Sequence, residues 1–307
     1  MGAIPTLKRF LLLNGVTGKP TTTEMDALWA AYDEFVWKRV QELRASPDLP
    51  VGIKALNQFL AESVIEDHLG TAWLEENIIE PHRSSLAKDY LNLQEHLLYK
   101  ALSLHRVQEL ARRLYQLQSF DWFDRILEAV RTRELSGASF ELDVLWLMQI
   151  ASVHVEAREE IGVRGADFDF SALMKGEYVP VEAKAKGDRT PWSKGTVVNT
   201  VKAAARQLPK GRTGLLLIRV PSAWIGPRLE AEYSEALAEG VRQTSRVGAI
   251  ISVLDKVHLL AGNSANVARH FDYFASHNCP DHIWDFCMRF RQYWDAGLTQ
   301  MAPAPPF

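Results

Sequence analysis

Cysteine is nearly missing from this chain: its 307 residues hold two, Cys279 and Cys287. Two thiols build no disulfide framework, which excludes a small stapled scaffold and fits a reducing compartment. Neither charge sign is in excess, since 35 Lys and Arg against 38 Asp and Glu leave a formal −3. So balanced a chain has no overall pull on a polyanion, and nucleic-acid binding has to come from a local patch. No apolar run is long enough to span a bilayer, and the opening MGAIPTLKRFLLLNGV has too short an apolar stretch for a secretory leader. Met1-Gly2 with Thr6 meets the loose N-myristoylation pattern, but Pro5 lies inside it and no second anchor follows. The expectation is a soluble, cytoplasmic protein with no membrane partner. Also missing are a GxxxxGKS/T phosphate cradle, a CxxC pair and a base-reading motif. His270, His277, Cys279, His282 and Cys287 are zinc-ligand types within eighteen residues, but at spacings of no known pair. Whether they bind zinc is left open; buried thiols and scattered imidazoles also account for them.

What the chain does have is core material, with 47% apolar and 10% aromatic residues, enough for one large or two modest domains. Residues 1–132 read as an all-helical domain. Thr22-Thr23-Glu24-Met25 caps a helix through Val40, Ile53 to Ile65 forms a second, and Leu86 to Leu117 has the apolar spacing of a long amphipathic third. Asp121 to Arg133 continues helical. Arg106, Arg112 and Arg113 read as a solvated helix face. This half is assigned to target recognition, or to association with a partner protein or a second copy.

Residues 133–300 read as α/β, and 301–307 as a disordered tail. The apolar helix Phe140 to Ala151 has Glu141 and Asp143 near its start, where acids favour the positive helix end and Ser136 or Ser139 serves as cap. Val153 to Glu159 alternates like a half-exposed strand. Leu215 to Val220 and Val247 to Leu254 are buried strands around a helix from Arg228 to Gln243, which implies a mixed sheet covered by helices.

Between these lies the stretch from Arg164 to Lys186. Phe168 to Met174 and Tyr178 to Ala185 flank a polar break containing Gly176, the pattern of a tight hairpin. With Lys175 and Gly176 as the turn, Asp169 falls opposite Glu182 and Asp167 opposite Lys184, so all four share one face. Phe168, Phe170, Ala172, Val181, Ala183 and Ala185 take the other. Two carboxylates about 5 Å apart across a strand pair offer hard oxygens to Mg²⁺ or Mn²⁺. A lysine beside them can orient water and stabilise a phosphoryl transition state. A plainer account is a cross-strand ion-pair ladder.

Asp169, followed thirteen positions later by Glu182-Ala183-Lys184, resembles the D…(D/E)xK signature of the PD-(D/E)XK, or restriction-endonuclease-like, nucleases. The context resembles the family too: a helix opening at Gly137-Ala138-Ser139-Phe140-Glu141, three strands, a basic helix from Gly195 to Leu208, then a buried strand. The resemblance covers about Gly137 to Leu260. It departs from the family at the missing proline before the aspartate, where Phe168 precedes Asp169 and Ala166 precedes Asp167, so the choice between the two aspartates stays open. The resemblance implies a divalent-metal-dependent endonuclease with Asp169 and Glu182 as metal ligands, the Ala183 carbonyl as a further ligand and Asp167 in reserve. Lys184 would position water and Glu141 would act as base or water-mediated ligand. The alternative is a nuclease-fold protein that binds nucleic acid or a partner enzyme without turnover.

Lys184 to Arg219 holds nine Lys or Arg against one acid, Asp188. Asn199, Lys202 and Arg206 recur at helical spacing, and Lys186, Arg189 and Lys194 extend the row, a path suited to phosphates. A solvated helix back explains the same residues. The expected substrate is DNA, with RNA left open by the fold.

Overall fold

A two-residue turn sets the register of the sheet on which the second half of the chain is built. Lys175 and Gly176 both take positive φ, 49° and 84°, the twist that suits a tight antiparallel hairpin and that glycine adopts without strain. The computed structural model describes residues 4–18, 20–46, 53–82, 84–88, 90–91, 97–158, 167–224, 226, 229–260 and 264–295. Met1-Gly2 and the 301–307 tail lie outside these. The described residues divide into two compact units, one within Met1–Leu91 and Ser103–Arg133, the other within Asn92–Leu102 and Glu134–Ala302.

The described residues of the first unit are helical, with no strand among them. Helix α1 is Leu7–Leu13, α2 Thr22–Ala45, α3 Ile53–Leu69 and α4 Thr71–Leu74, running into a π-helical turn at Glu75–Ile79. Most of α5 (Leu97–Leu117) and all of α6 (Phe123–Thr132) follow. The Thr21 hydroxyl accepts from the Glu24 amide while Glu24 accepts from the Thr21 amide, a reciprocal cap that starts α2. Tyr32, Val36, Leu60, Val64, Leu110 and Leu114 are buried in its core.

Two readings of this half need correction. The single helix expected from Leu86 to Leu117 is not observed: 84–88 and 90–91 are turns and bends, and α5 is Leu97–Leu117. The Tyr90 carbonyl is taken by Arg106 Nη1 at 2.6 Å, and the Tyr90 hydroxyl donates to the Arg106 carbonyl at 2.8 Å, which pins this turn to α5. Arg106 and Arg113 are buried, and Glu109 pairs with both Arg112 and Arg113. They are internal braces of α5 and not a solvated face.

The second unit is a mixed six-stranded sheet flanked by helices, in the order β1-β2-β3-β4-β5-β6. Strand β1 is Val155–Ala157, β2 Phe170–Met174, β3 Glu177–Ala185, β4 Gly214–Arg219, β5 Val247–Leu260 and β6 Ser264–Ala275. β1, β2 and β3 are antiparallel neighbours, β3, β4 and β5 are parallel, and β6 returns antiparallel. Helices α8 (Lys194–Gln207) and α9 (Glu230–Arg242) make the parallel crossovers. They cover Leu216, Ile218, Ile250 and Leu254 on one face. At their crossing a Cβ on Gly240 would lie 2.9 Å from Val201 Cβ, so only glycine allows that approach.

Helices α7 (Leu135–Ile150) and α10 (Asp281–Asp295) serve the other face. Arg219, at the end of β4, donates to the Ser136 carbonyl at 2.6 Å and lies over the Phe140 ring, while Phe290 of α10 meets Phe271 of β6. Strand β6 and the length of β5 had no sequence reading, because the 264–275 stretch mixes polar and aromatic residues without clean alternation. No helix of the described residues is long and apolar enough to cross a membrane.

Candidate active site at the end of the hairpin

The expected hairpin register is the observed one: Phe170 pairs with Val181, Ala172 with Val179 and Met174 with Glu177. The ladder stops at Phe170, however, and neither Asp167 nor Asp169 is part of it. Asp169 sits in a bend, and its Oδ2 accepts the Ala183 amide proton at 2.7 Å. The carboxylate thus fills the ladder position on β3 that β2, beginning only at Phe170, leaves open. Phe168 shows the same break, since it joins the core under α8 and α9 whereas Phe170 pairs with Val181 on the opposite face. The expectation that Phe168 and Phe170 share a face is corrected.

Glu182 is fully buried, at 0% exposure, and forms an ion pair with Lys184 through Oε1. Its Oε2 has no hydrogen-bond partner among the described residues. In the parallel ladder Glu182 and Lys184 stand opposite Leu216 and Ile218, which puts both on the α8/α9 side of the sheet. Burial pushes the Glu182 carboxyl up to about 8; the charges of Asp169 and Glu141 add to the rise and Lys184 opposes it. A carboxyl held this way keeps its proton to a higher pH than an exposed one, and a cation at the site favours its ionised form. The Ala183 N–H faces the β2 edge, and the carbonyl of a strand residue points to the same edge as its N–H, so it opens beside Asp169.

Glu141 is buried in the second turn of α7. The helix begins earlier than expected, because the Glu134 carboxylate accepts from the Ser136 and Gly137 amides at 2.7 and 3.0 Å. Ser136 and Ser139 are therefore not its caps, and a first-turn dipole no longer accounts for Glu141 or Asp143. Asp143 has a different role: with Asp255 it brackets the buried Arg269, at 3.2 and 2.8 Å. The site thus gathers Asp169, Glu182 and Lys184, with Glu141 near enough for its charge to be felt. Asp167 stays at the margin, its carbonyl accepting from Gln207 Nε2 at 3.4 Å.

The expected phosphate path divides. Lys186 is half-buried next to the site, and burial together with the Lys184 charge lowers its ammonium below the ordinary range. Arg189, Asn199 and Arg206 are exposed and Lys202 half-buried. Lys194 is instead engaged with Glu239 of α9 at 3.0 Å. The loop carrying Arg189 is tied down where Trp224 Nε1 donates to the Thr190 carbonyl at 2.8 Å and Trp192 packs edge-on against Trp224. Those tryptophans, like the buried Arg219, were invisible as site supports because nothing in their spacing separates them from core residues.

Among the described residues no three His, Cys, Asp or Glu side chains stand together as a ready metal set, which includes the five residues from His270 to Cys287. Burial drives the Cys279 thiol up to about 11 and the Cys287 thiol to about 12, so both stay protonated. The two carboxylates and the Ala183 carbonyl still suit a hard divalent ion, because Oε2 of Glu182 is buried with no partner among the described residues and such an atom calls for a cation or a proton. No family model, curated protein or solved structure matches the chain.

Proposed function

We propose that the chain is a divalent-metal-dependent nuclease of PD-(D/E)XK type, with a restriction-endonuclease-like core, that hydrolyses phosphodiester bonds in DNA. One observation carries the reading: a fully buried glutamate, Glu182, ion-paired with a lysine two residues on, beside the Asp169 charge at the open end of a hairpin. Sheet packing alone gives no reason to bury that carboxylate, whereas a perturbed acid next to a specific charge partner is what metal and acid-base sites are made of.

Asp169, Glu182 and the Ala183 carbonyl would hold Mg²⁺ or Mn²⁺, with Asp167 in reserve. The ion supplies Lewis acidity at the phosphoryl oxygens. Lys184 orients the attacking water and offsets charge on the phosphorus oxygens. Water forms the new P–O bond, the ester P–O bond breaks, and the leaving oxygen takes up the proton that water gives up. Glu141 acts as the base or as a ligand through water. Lys186, Arg189, Lys202 and Arg206 track the strand. The helical unit serves target recognition or association, and the free cysteines fit a cytoplasmic protein.

A second reading, a nuclease-fold binding protein without turnover, is favoured by the commitment of Asp169 Oδ2 to the Ala183 amide. Nicking of supercoiled plasmid with Mg²⁺ or Mn²⁺ separates the two. Cleavage lost in Glu182→Gln and Lys184→Ala, both still folded, supports the enzyme. Salt-sensitive binding with no cleavage under either metal supports the binder.

A further inference from the structure

Strand β5 does not stop where its partner stops. Its pairing with β4 ends at Val253, yet it continues with β6 to Leu260, opposite Ser264. Seven residues, Leu254 to Leu260, therefore run with β6 as a two-stranded ribbon beyond the sheet, roughly 23 Å at about 3.3 Å per residue. Because β3, β4 and β5 are parallel, the ribbon leaves from the carboxyl end of the sheet, the end at which Lys184 and Lys186 lie.

Its two faces differ. Leu254 belongs to the core face shared with Leu216 and Ile218, and Glu182 and Lys184 stand opposite those two residues. By strand alternation Lys256 and His258, with Asn266 and His270 on the return strand, continue that same face. All four are exposed, and the two imidazole rings lie 6.1 Å apart. The reverse face carries Val257, Leu259 and Val267, and the one acid of the ribbon, Asp255, is there and bound to Arg269 at 2.8 Å. The face on the Lys184 side thus carries one lysine, two imidazoles and one side-chain amide before it ends at the exposed Leu260, with no carboxylate among its ribbon residues.

We infer that the β5–β6 ribbon is a duplex-binding arm whose Lys256, His258, Asn266 and His270 contact a nucleic-acid groove beside the proposed cleavage site. A two-stranded ribbon fits the major groove of B-form DNA, and a row of donors without acids complements phosphate. The inference rests on the nuclease reading for its setting and commits it to double-stranded substrate.

The test uses the full chain in EDTA, with a labelled 20-base-pair duplex and the matching single strand followed by fluorescence anisotropy across a salt series. Lys256→Ala/His258→Ala/His270→Ala should bind duplex about tenfold more weakly and flatten the salt slope by about one, with single-strand binding and thermal melting unchanged. Leu259→Ser, on the reverse face, should bind duplex as the parent does. The inference is overturned if the triple variant keeps duplex affinity, if it loses both substrates equally, or if the parent binds no duplex. It is also overturned if the ribbon substitutions change only the oligomeric state, which would make the arm a contact between copies. Ribbon-dependent duplex binding without metal-dependent cleavage would sink hydrolysis and leave the arm standing. Cleavage that persists while the triple variant binds normally would do the reverse.

Discussion

Asp169 and the Ala183 amide are joined at 2.7 Å, and this contact sets both the geometry and the vulnerability of the proposed site. It makes Asp169 a strand terminator as well as a ligand candidate. Asp169→Asn retains an acceptor for the amide and should leave stability within about 1 kcal/mol of the parent, while Asp169→Ala should lose about 1–2 kcal/mol. Both should lower plasmid nicking by about a hundredfold or more. Urea unfolding beside the nicking assay distinguishes the roles, and an active Asp169→Asn would remove Asp169 from the metal set.

Glu182 links folding to pH. Its folded-state pKa is raised from 4.5 to about 8 by burial and by neighbouring acids. The favourable contribution of the protonated carboxyl is therefore full below about pH 4.5 and is lost as pH climbs through about 8. Metal-free protein should unfold more easily at pH 9 than at pH 6, and Glu182→Gln should flatten that slope. Mn²⁺ should raise the melting temperature more at pH 9 than at pH 6, since proton and metal compete for one carboxylate. An equal rise in Glu182→Gln would show the ion bound elsewhere.

Lys184 is the counter-charge of that carboxyl. Lys184→Met keeps the stem and removes the ammonium, so the proton on Glu182 should be held more tightly and metal binding should shift to higher pH. Turnover should fall by about two orders of magnitude or more even at saturating metal. The comparison is single-turnover cleavage against Mn²⁺ titration followed by melting. A variant that cleaves normally would mean that this lysine only neutralises Glu182.

Away from the site, Asp143, Asp255 and Arg269 form a buried ion cluster joining α7, β5 and β6. Asp255→Ala strips a 2.8 Å partner from an arginine whose side chain is only 7% exposed and should destabilise the chain by about 3–5 kcal/mol. Arg269→Met with Asp255→Leu should recover much of that loss, because the charge and its partner leave together. Urea midpoints for the single and double variants measure it.

How much of this was legible depended on the range over which each signal acts. The turn at Lys175-Gly176 fixed the pairing of Phe170 with Val181, because a two-residue loop leaves one register. The same logic extended to Asp169 and Asp167 failed, because no local feature announced that β2 would begin at Phe170. Along α8, Val197, Val201, Ala204 and Ala205 recur at helical spacing, and all four are buried. Leu86 to Leu91 had an equally good helical period, and the Tyr90–Arg106 exchange, sixteen residues apart, overrode it.

The hairpin, the α8 crossover between β3 and β4, and the spacing of Glu182 and Lys184 are properties of the sequence by itself, since each follows from side-chain periodicity or turn chemistry within a few residues. Tertiary structure alone decided that Glu182 is wholly buried, that Asp169 turns onto the Ala183 amide, that Arg269 lies between Asp143 and Asp255, and that β5 outruns β4 to make an arm. These depend on where distant segments stop and what they shield from water. Desolvation and pairing across the fold set the charge state of an acid, and no local pattern encodes them.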